Sequence, residues 1–139
     1  MSIAVASGIA GLHFDRALEI LEEAIAKDEC LVHEDETGVV DALLVVYRQA
    51  FFGRDFIKLL AVADRARRKG VGVRLVRRAL ETARTDTVFI STNQSNVAMR
   101  ALLHREHWIF SGRLTGIDDD DPELVYRRRR SSTSRAMAP

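Results

Sequence analysis

The chain has 139 residues, 47% apolar and 29% charged, a composition expected of one compact soluble domain with no room for a second. At this length roughly two-thirds of the surface exposed by the unfolded chain can be buried, enough for one sheet covered by a few helices without disulfide staples. The 21 basic and 20 acidic residues leave a net charge of +1, which points to no polyanionic partner, and a single cysteine, Cys30, excludes an internal disulfide and a thiolate metal cluster. No run approaches the ~20 apolar residues of a membrane helix. Met1 to Leu12 lacks the basic leader of a secretory signal, so the expected compartment is the cytoplasm.

From Asp15 to Lys27 the apolar Leu18, Leu21 and Ile25 recur at three- and four-residue steps, with Asp15 placed to cap and Glu22 and Glu23 outward, which predicts an amphipathic helix. Cys30–His33 and Val39–Tyr47 are rich in β-branched residues and flank Glu34–Gly38, where Thr37-Gly38 supplies a turn, so an antiparallel hairpin is expected. Phe56–Ala63 is apolar on both faces except at Lys58, the pattern of a strand inside a sheet. From Val71 the period becomes helical: Val76, Ala79, Leu80 and Ala83 form one stripe, with Arg74, Arg77 and Arg78 largely opposite.

Thr87–Thr92 is a short β-rich segment, followed by a polar break at Asn93–Asn96 and a helical stretch from Val97 to about Arg105. Trp108–Phe110 and Leu124–Arg127 read as strands joined by the acidic loop Asp118–Asp121, which Pro122 closes. Ser131–Pro139 is small, polar and aperiodic, and reads as a disordered tail behind a single domain of residues 1–130. The element order predicts an α+β fold, a mixed sheet with helices packed on it.

The most informative stretch runs from Ala61 to Gly72 (Ala-Val-Ala-Asp-Arg-Ala-Arg-Arg-Lys-Gly-Val-Gly), taking a buried strand into a basic, glycine-containing loop that opens a helix. Free backbone N–H groups at a helix start, with the positive end of the dipole, favour an anion. Gly70 and Gly72 let a ligand approach the main chain, and Arg67, Arg68 and Lys69 add charge, so a phosphate group fits. The Walker order is absent, since Lys69 precedes Gly70 and Val71 follows it; the dinucleotide fingerprint lacks its third glycine, Leu75 standing there. What remains is Arg-x-x-Gly-x-Gly, carried by Arg67, Gly70 and Gly72. Taken alone, it is also the pattern of an ordinary loop with glycine at a helix start.

This pattern, directly after an apolar strand ending Leu60-Ala61-Val62, resembles the acyl-coenzyme A signature of the GNAT N-acetyltransferase superfamily. Thr92 to Leu103 followed by Trp108 is similar to the superfamily's second motif, in which a strand end is followed by an asparagine opening a helix and an aromatic beginning the next strand. Asp121-Pro122-Glu123-Leu124-Val125-Tyr126-Arg127 resembles the last strand of a GNAT subgroup with an Asp-Pro-Glu-Leu-x-Tyr ending. The three motifs stand in the right order within Cys30 to Arg128.

The resemblance implies a GNAT-like acyl-CoA N-acyltransferase fold, with a central, mostly antiparallel sheet of six or seven strands flanked by helices. It implies transfer of an acetyl group from acetyl-CoA to a small-molecule or peptide amine, without a metal, by a monomer or homodimer. In that reading the amides of Arg67, Arg68, Lys69, Gly70, Val71, Gly72 and Val73 cradle the pyrophosphate. The strand end at Leu60, Ala61 and Val62 pairs with the pantetheine arm as though it were another strand. Asn96 contacts the same arm near the thioester end, and Met99 belongs to the same set.

Two chemical groups of the family pattern are missing. A glutamate that deprotonates the amine is common on the strand before the glycine loop, but Lys58 stands at the nearest matching position. A tyrosine seven residues after the asparagine commonly protonates the thiolate, but here that residue is Leu103. Thiols have reference pKa values near 8.5, so the thiolate can leave without a dedicated acid, and proximity can carry much of the rate. Candidate stand-ins are His104 and Tyr47, with His107 beside the helix end and Asp41 and Glu34 on the hairpin expected to border the acceptor side. Trp108 and Tyr126 read as core and half-buried strand aromatics.

The acidic loop could steer a cationic amine, but a solvated turn explains it as well and is preferred. The four histidines and Cys30 show no ligand spacing, so no metal site is expected. A noncatalytic acyl-CoA-binding module is the alternative to an enzyme. Nucleic-acid binding through Arg74, Arg77, Arg78 and Arg127–Arg130 ranks last, because aromatic interleaving and a recognition-helix motif are absent.

Overall fold

A computed structural model describes residues 3–5 and 14–130; the expected tail at 131–139 lies outside the described residues. In chain order the elements are β1 (Ile3–Val5), α1 (Phe14–Ala26), β2 (Cys30–Glu34), β3 (Val40–Phe51), β4 (Arg54–Ala63), a 3-10 turn (Asp64–Ala66), α2 (Val71–Glu81), β5 (Thr87–Asn93), α3 (Val97–Arg105), β6 (Ile109–Leu114) and β7 (Glu123–Arg129). Seven strands form one sheet in the order β2-β3-β4-β5-β7-β6, with β1 paired to β4. Among the described residues only β4 and β5 run parallel; the other neighbours are antiparallel. The mostly antiparallel mixed sheet expected from the sequence is therefore present, with β1 as an addition that the sequence reading did not contain.

The sheet is covered differently on its two faces. On one, Val71, Leu75, Val76, Ala79 and Leu80 of α2 and Met99 and Leu103 of α3 pack against Leu44, Val46, Ile57, Leu60, Val62, Val88 and Ile90. On the other, Ile20 and Ala24 of α1 pack against Leu43, Val45, Leu59 and Ala61. Each fully buried Val, Leu or Ile contributes on the order of 1.5–3 kcal/mol, so the α2 stripe fixes that helix and the loop that opens it.

On β4 the inward residues change parity. Ile57 faces α2, but so do Leu60 and Val62, while Leu59 faces α1. The register explains this: Val46 pairs with Ile57 and Val45 with Leu59, so Lys58 is an inserted residue, a β-bulge. An apolar-on-both-faces sequence conceals such a step.

At the other end of β4, Asp55 is fully buried and organises the turn region. Its carboxylate accepts from the backbone N–H groups of Gln49 (3.0 Å) and Arg84 (2.9 Å) and from the Arg48 guanidinium (3.2 Å). Its own N–H donates to the Thr85 hydroxyl at 3.0 Å. One side chain thereby ties the β3–β4 hairpin to the α2–β5 connection. Asp55→Ala would strand the Arg48 charge and both amides, so urea unfolding should show a loss of about 3–5 kcal/mol. A loss below about 1 kcal/mol, the level of an exposed ion pair, would contradict the assigned role.

Candidate active site

The sheet opens at one place. β4 and β5 pair at Asp55↔Val88, Phe56↔Phe89 and Ile57↔Ile90 and then part, β5 continuing against β7 as far as Asn93↔Glu123. The bulge at Lys58 stands where the two strands separate. Farther along, β1 occupies the β5-side edge of β4 through Ala4↔Val62 and Val5↔Ala61, so the stretch Lys58–Leu60 lies between the two ladders.

Beside the opening, α2 begins. Its N-cap is Gly70, left-handed at φ 77°, without a side-chain cap. The first N–H groups of a helix have no partner within it, so those of Val71, Gly72 and Val73 point out of the helix start. A groove of about 520 Å³ lies in front of them, lined by Leu60, Val62, Arg67, Arg68, Gly70, Val71, Gly72, Val73 and Asn96, together with Ala98, Leu102 and Arg105. Nine of the twelve residues expected to hold the cosubstrate are thus brought to one groove. Asn96 also caps α3, its Oδ1 accepting from the Met99 N–H at 3.1 Å.

Three of the expected residues are placed otherwise. Met99 is 2% exposed, its side chain filling the core under α3. Ala61 faces α1, and the expectation of a free strand edge is corrected: β1 pairs with β4 at Ala61 and Val62, leaving only the stretch up to Leu60 without a strand partner on that side. Lys69 turns to a separate pocket of about 600 Å³ with His33, Glu34, Asp41 and Arg74. That pocket also corrects the expected position of Glu34 and Asp41: they lie on the α2 side of the hairpin. An inserted residue in the β2–β3 ladder (His33↔Ala42, Glu34↔Val40) puts Asp41 on the same face as His33, at 2.6 Å from its Nδ1. Arg105, absent from the expected set, follows Ala98 and Leu102 at helical spacing along one face of α3, a signal present in the sequence.

The stand-ins for the missing acid and base are scattered. His104 is exposed and lines a hollow with Trp108, Phe110 and Tyr126, on the side of α3 toward β6 and β7. His107, at φ 65°, closes α3: its N–H donates to His104 O and the Trp108 N–H to Leu103 O, a Schellman turn. Tyr47 packs at the α1 face beside Leu59 and Ala61. Leu103 is fully buried, so that position offers the groove no polar group.

On the face of β5 and β7 opposite α2 and α3, the sequence reading missed Glu123. It is 5% exposed, and its Oε2 has no hydrogen-bond partner. Burial pushes its carboxyl above the ordinary carboxylate range, opposed by a hydrogen bond from Ser91 and the charge of Lys58 and reinforced by Asp118 and Asp121. The acidic loop is a structural tie rather than a free solvated turn: Asp118 accepts from Asn93 Nδ2 at 2.8 Å, and Asp121 accepts from the Ser95 N–H and hydroxyl at 3.1 and 2.6 Å. On the same face a groove of about 780 Å³ is lined by Phe51, Phe89, Leu114 and Val125 and edged by Arg54, Arg113 and Arg127.

Of the arginines considered for nucleic acid, Arg77 makes a two-point ion pair with Glu106 (2.6 and 3.0 Å), Arg78 pairs with Glu81 and Arg130 with Asp86. The Arg77 guanidinium holds the Glu106 carboxyl below its usual range. Among the described residues no cluster of three or more His, Cys, Asp or Glu could hold a metal, and no helix is long and apolar enough to cross a membrane.

Comparison with known proteins agrees with this geometry. The acetyltransferase (GNAT) family matches residues 9–107, and the chain belongs to that family. A GNAT-family acetyltransferase from Bacillus cereus superposes with a TM-score of 0.80 at 22% identity, covering 94% of this chain and 97% of its own. A ribosomal-protein-alanine N-acetyltransferase from Brucella melitensis gives 0.67 at 22% identity, covering 85% and 79%. A Vibrio cholerae spermidine N-acetyltransferase chimera gives 0.66 at 17% identity, covering 86% and 78%. No curated protein matches the sequence. These likenesses establish the GNAT acyl-CoA N-acyltransferase fold.

The two glycines of the loop differ in what they require. A Cβ on Gly72 would meet Leu60 Cδ2 at 3.5 Å, Val62 Cγ2 at 3.7 Å and Leu102 Cδ1 at 4.0 Å, all ordinary contacts. Gly72→Ala should therefore raise stability by about 0.4–1 kcal/mol. Gly70→Ala, forced into φ 77°, should lower it by about 1–2 kcal/mol. Denaturant unfolding of both variants checks the opposite signs; equal signs would mean that the left-handed cap is not the constraint.

Proposed function

We propose that the protein is an N-acetyltransferase that moves an acetyl group from acetyl-CoA to a primary amine by direct attack in a ternary complex. The observation carrying this reading is the parting of β4 from β5 beside the uncapped start of α2. Acetyl-CoA supplies the acyl group as a thioester, activated for attack by nitrogen. The chain's own residues have the complementary chemistry. The amides of Gly70–Val73 suit a diphosphate, with Arg67, Arg68 and Arg105 around it as counter-charge. Leu60, Val62 and Leu102 offer an apolar wall to an extended amide-bearing arm, with Asn96 as its polar contact.

The acceptor is assigned to the opposite face, which carries the Phe51–Phe89 groove. Related folds act on acceptors as different as a ribosomal protein's alanine and spermidine, which supports a small-molecule or peptide amine as the acceptor class. A single domain of residues 1–130 working in the cytoplasm fits this role. A noncatalytic acyl-CoA-binding module is the second reading, favoured by one observation: Lys58 and the buried Leu103 replace the family's base and acid.

Calorimetric titration with acetyl-CoA tests the first step. The wild type should bind, and Gly70→Glu, which sets a carboxylate against the diphosphate, should weaken binding about tenfold or more, equivalent to ~1.4 kcal/mol. Absence of binding by the wild type at millimolar ligand would remove the proposal. Because β1 holds part of the β4 edge, deletion of residues 1–5 should tighten binding by freeing the competent state; weaker binding would show that β1 supports the groove instead. Thiol release with a panel of amines separates the two readings, since turnover well above hydrolysis excludes the noncatalytic one.

A further inference from the structure

The reaction proposed above needs a group that takes a proton from the amine, and the family's position for it holds a lysine. A carboxylate stands elsewhere at the same opening. Glu123 begins β7, opposite Asn93 on β5 and Leu114 on β6. Ile90 and Tyr126, an odd number of strand positions (three) along the ladder from it, belong to the α2 and α3 face, so Glu123 faces the other way, with its ladder neighbours Asn93, Val125 and Ser91. Ser91 follows the last β4–β5 pair directly. Ser91 donates to the Glu123 carboxyl and the charge of Lys58 in the bulge acts on it, so the side chain lies on the β5 stretch that runs on beyond the last β4–β5 pair.

Its state is unusual for a structural carboxylate. At 5% exposure it keeps one oxygen without a donor, and among the described residues it is the one carboxylate with such an orphaned oxygen. Leaving a buried acceptor unsatisfied costs free energy with no gain in the folded protein. The groups facing it are Ser91 and Asn93 on β5, Lys58 on β4, Asp118 and Asp121 in the β6–β7 connection, and the apolar Leu114 on β6. The two aspartates favour arrival of a cation. The Ser91 hydroxyl serves one side of the carboxylate, and the second, buried oxygen has no donor.

We propose that Glu123 is the catalytic base, accepting a proton from the acceptor amine at the opening between β4 and β5. The inference rests on the acetyltransfer reading. An alkylammonium gives one N–H proton to the carboxylate, and the freed lone pair adds to the thioester carbonyl carbon, whose π electrons move to oxygen. When the carbonyl re-forms, the C–S bond breaks and its electron pair leaves with sulfur. The second N–H proton goes to the thiolate, and Glu123 then releases its proton to solvent. The products are an amide, a thiol and one proton.

The experiment compares the full-length wild type with Glu123→Gln, using acetyl-CoA, four probe amines (spermidine, an alanine-terminated peptide, phenylalanine and phenethylamine), thiol release, calorimetry and thermal unfolding across pH. Glu123→Gln should bind acetyl-CoA within about twofold of wild type yet lose turnover about 100-fold or more, the usual range for a general base. The wild-type rate should show an acid limb above the ordinary glutamate pKa, absent from the variant. Stability supplies a readout independent of activity. A carboxyl whose pKa is raised in the fold loses stability as pH rises through that folded value, so the glutamine variant should match or exceed the wild type in thermal midpoint at pH 7–8, with the advantage shrinking toward pH 4. A structural role predicts the reverse.

Turnover within threefold of wild type, or a lower midpoint at neutral pH, would overturn the assignment. If the variant does not fold, the wild-type rate profile decides alone, and an acid limb within the ordinary carboxylate range would overturn it. Acetyl-CoA binding by the wild type without turnover of any probe amine would also overturn the base while leaving the binding reading standing. Absence of binding would remove both.

Discussion

The structure depends on a strand that pairs with its neighbour for three residues and then leaves it. β4 and β5 separate after Ile57 and Ile90, and the inserted Lys58 is where the change occurs. A bulge strengthens the local twist and breaks the ladder, and here it also moves Leu60 and Val62 onto the face where α2 and α3 bury them. The separation is therefore sustained by packing rather than by the bulge alone. The first turn of α2 lies over the same residues, a Cβ at Gly72 being within ordinary contact distance of Leu60 and Val62. Opening, groove and helix start are consequences of the same local geometry.

That arrangement gives the two faces of the opening different chemistry. The α2 and α3 face carries uncapped amides, arginines and an apolar wall, suited to a long ligand with a charged end. The other face carries an aromatic groove edged by Arg54, Arg113 and Arg127 and, on β7, the buried Glu123 carboxyl. A sheet that opens is the simplest way to bring ligands from opposite faces into contact, and it positions them without any residue on the strand having to act as acid or base. Lys58 and the buried Leu103 stand where the family resemblance leads one to expect a base and an acid. Burial raises the pKa of the Glu123 carboxyl, an arrangement more often found at working sites than in scaffolds.

Local features were legible in the sequence and long-range ones were not. The Arg67–Gly72 loop was readable because glycine, charge and a helix start are contiguous. The hairpin turn was readable for the same reason: Asp35 accepts from Thr37 N–H and Val39 N–H at 2.8 and 3.0 Å, which is short-range turn chemistry. The bulge at Lys58 was hidden by a run apolar on both faces. The second bulge, at Asp41, sets Asp41 beside His33, a placement that alternation along the strand does not give. β6 extends to Leu114 beyond the expected Phe110, where Ser111 and Gly112 interrupt the alternation. β1 is three residues long, and its partner exists only because β5 has left the edge of β4. Glu123 could not be singled out because its significance arises from Lys58 and Ser91, which are distant in sequence.

Amide hydrogen exchange of the full-length protein with and without coenzyme A tests the central claim most directly. The account predicts slowed exchange confined to the Gly70–Val73 amides at the start of α2 and to the β4 stretch after Ile57, with the β5–β7 ladder unchanged. Binding that protects neither segment, or that protects the pocket around His33 and Asp41 instead, would contradict it.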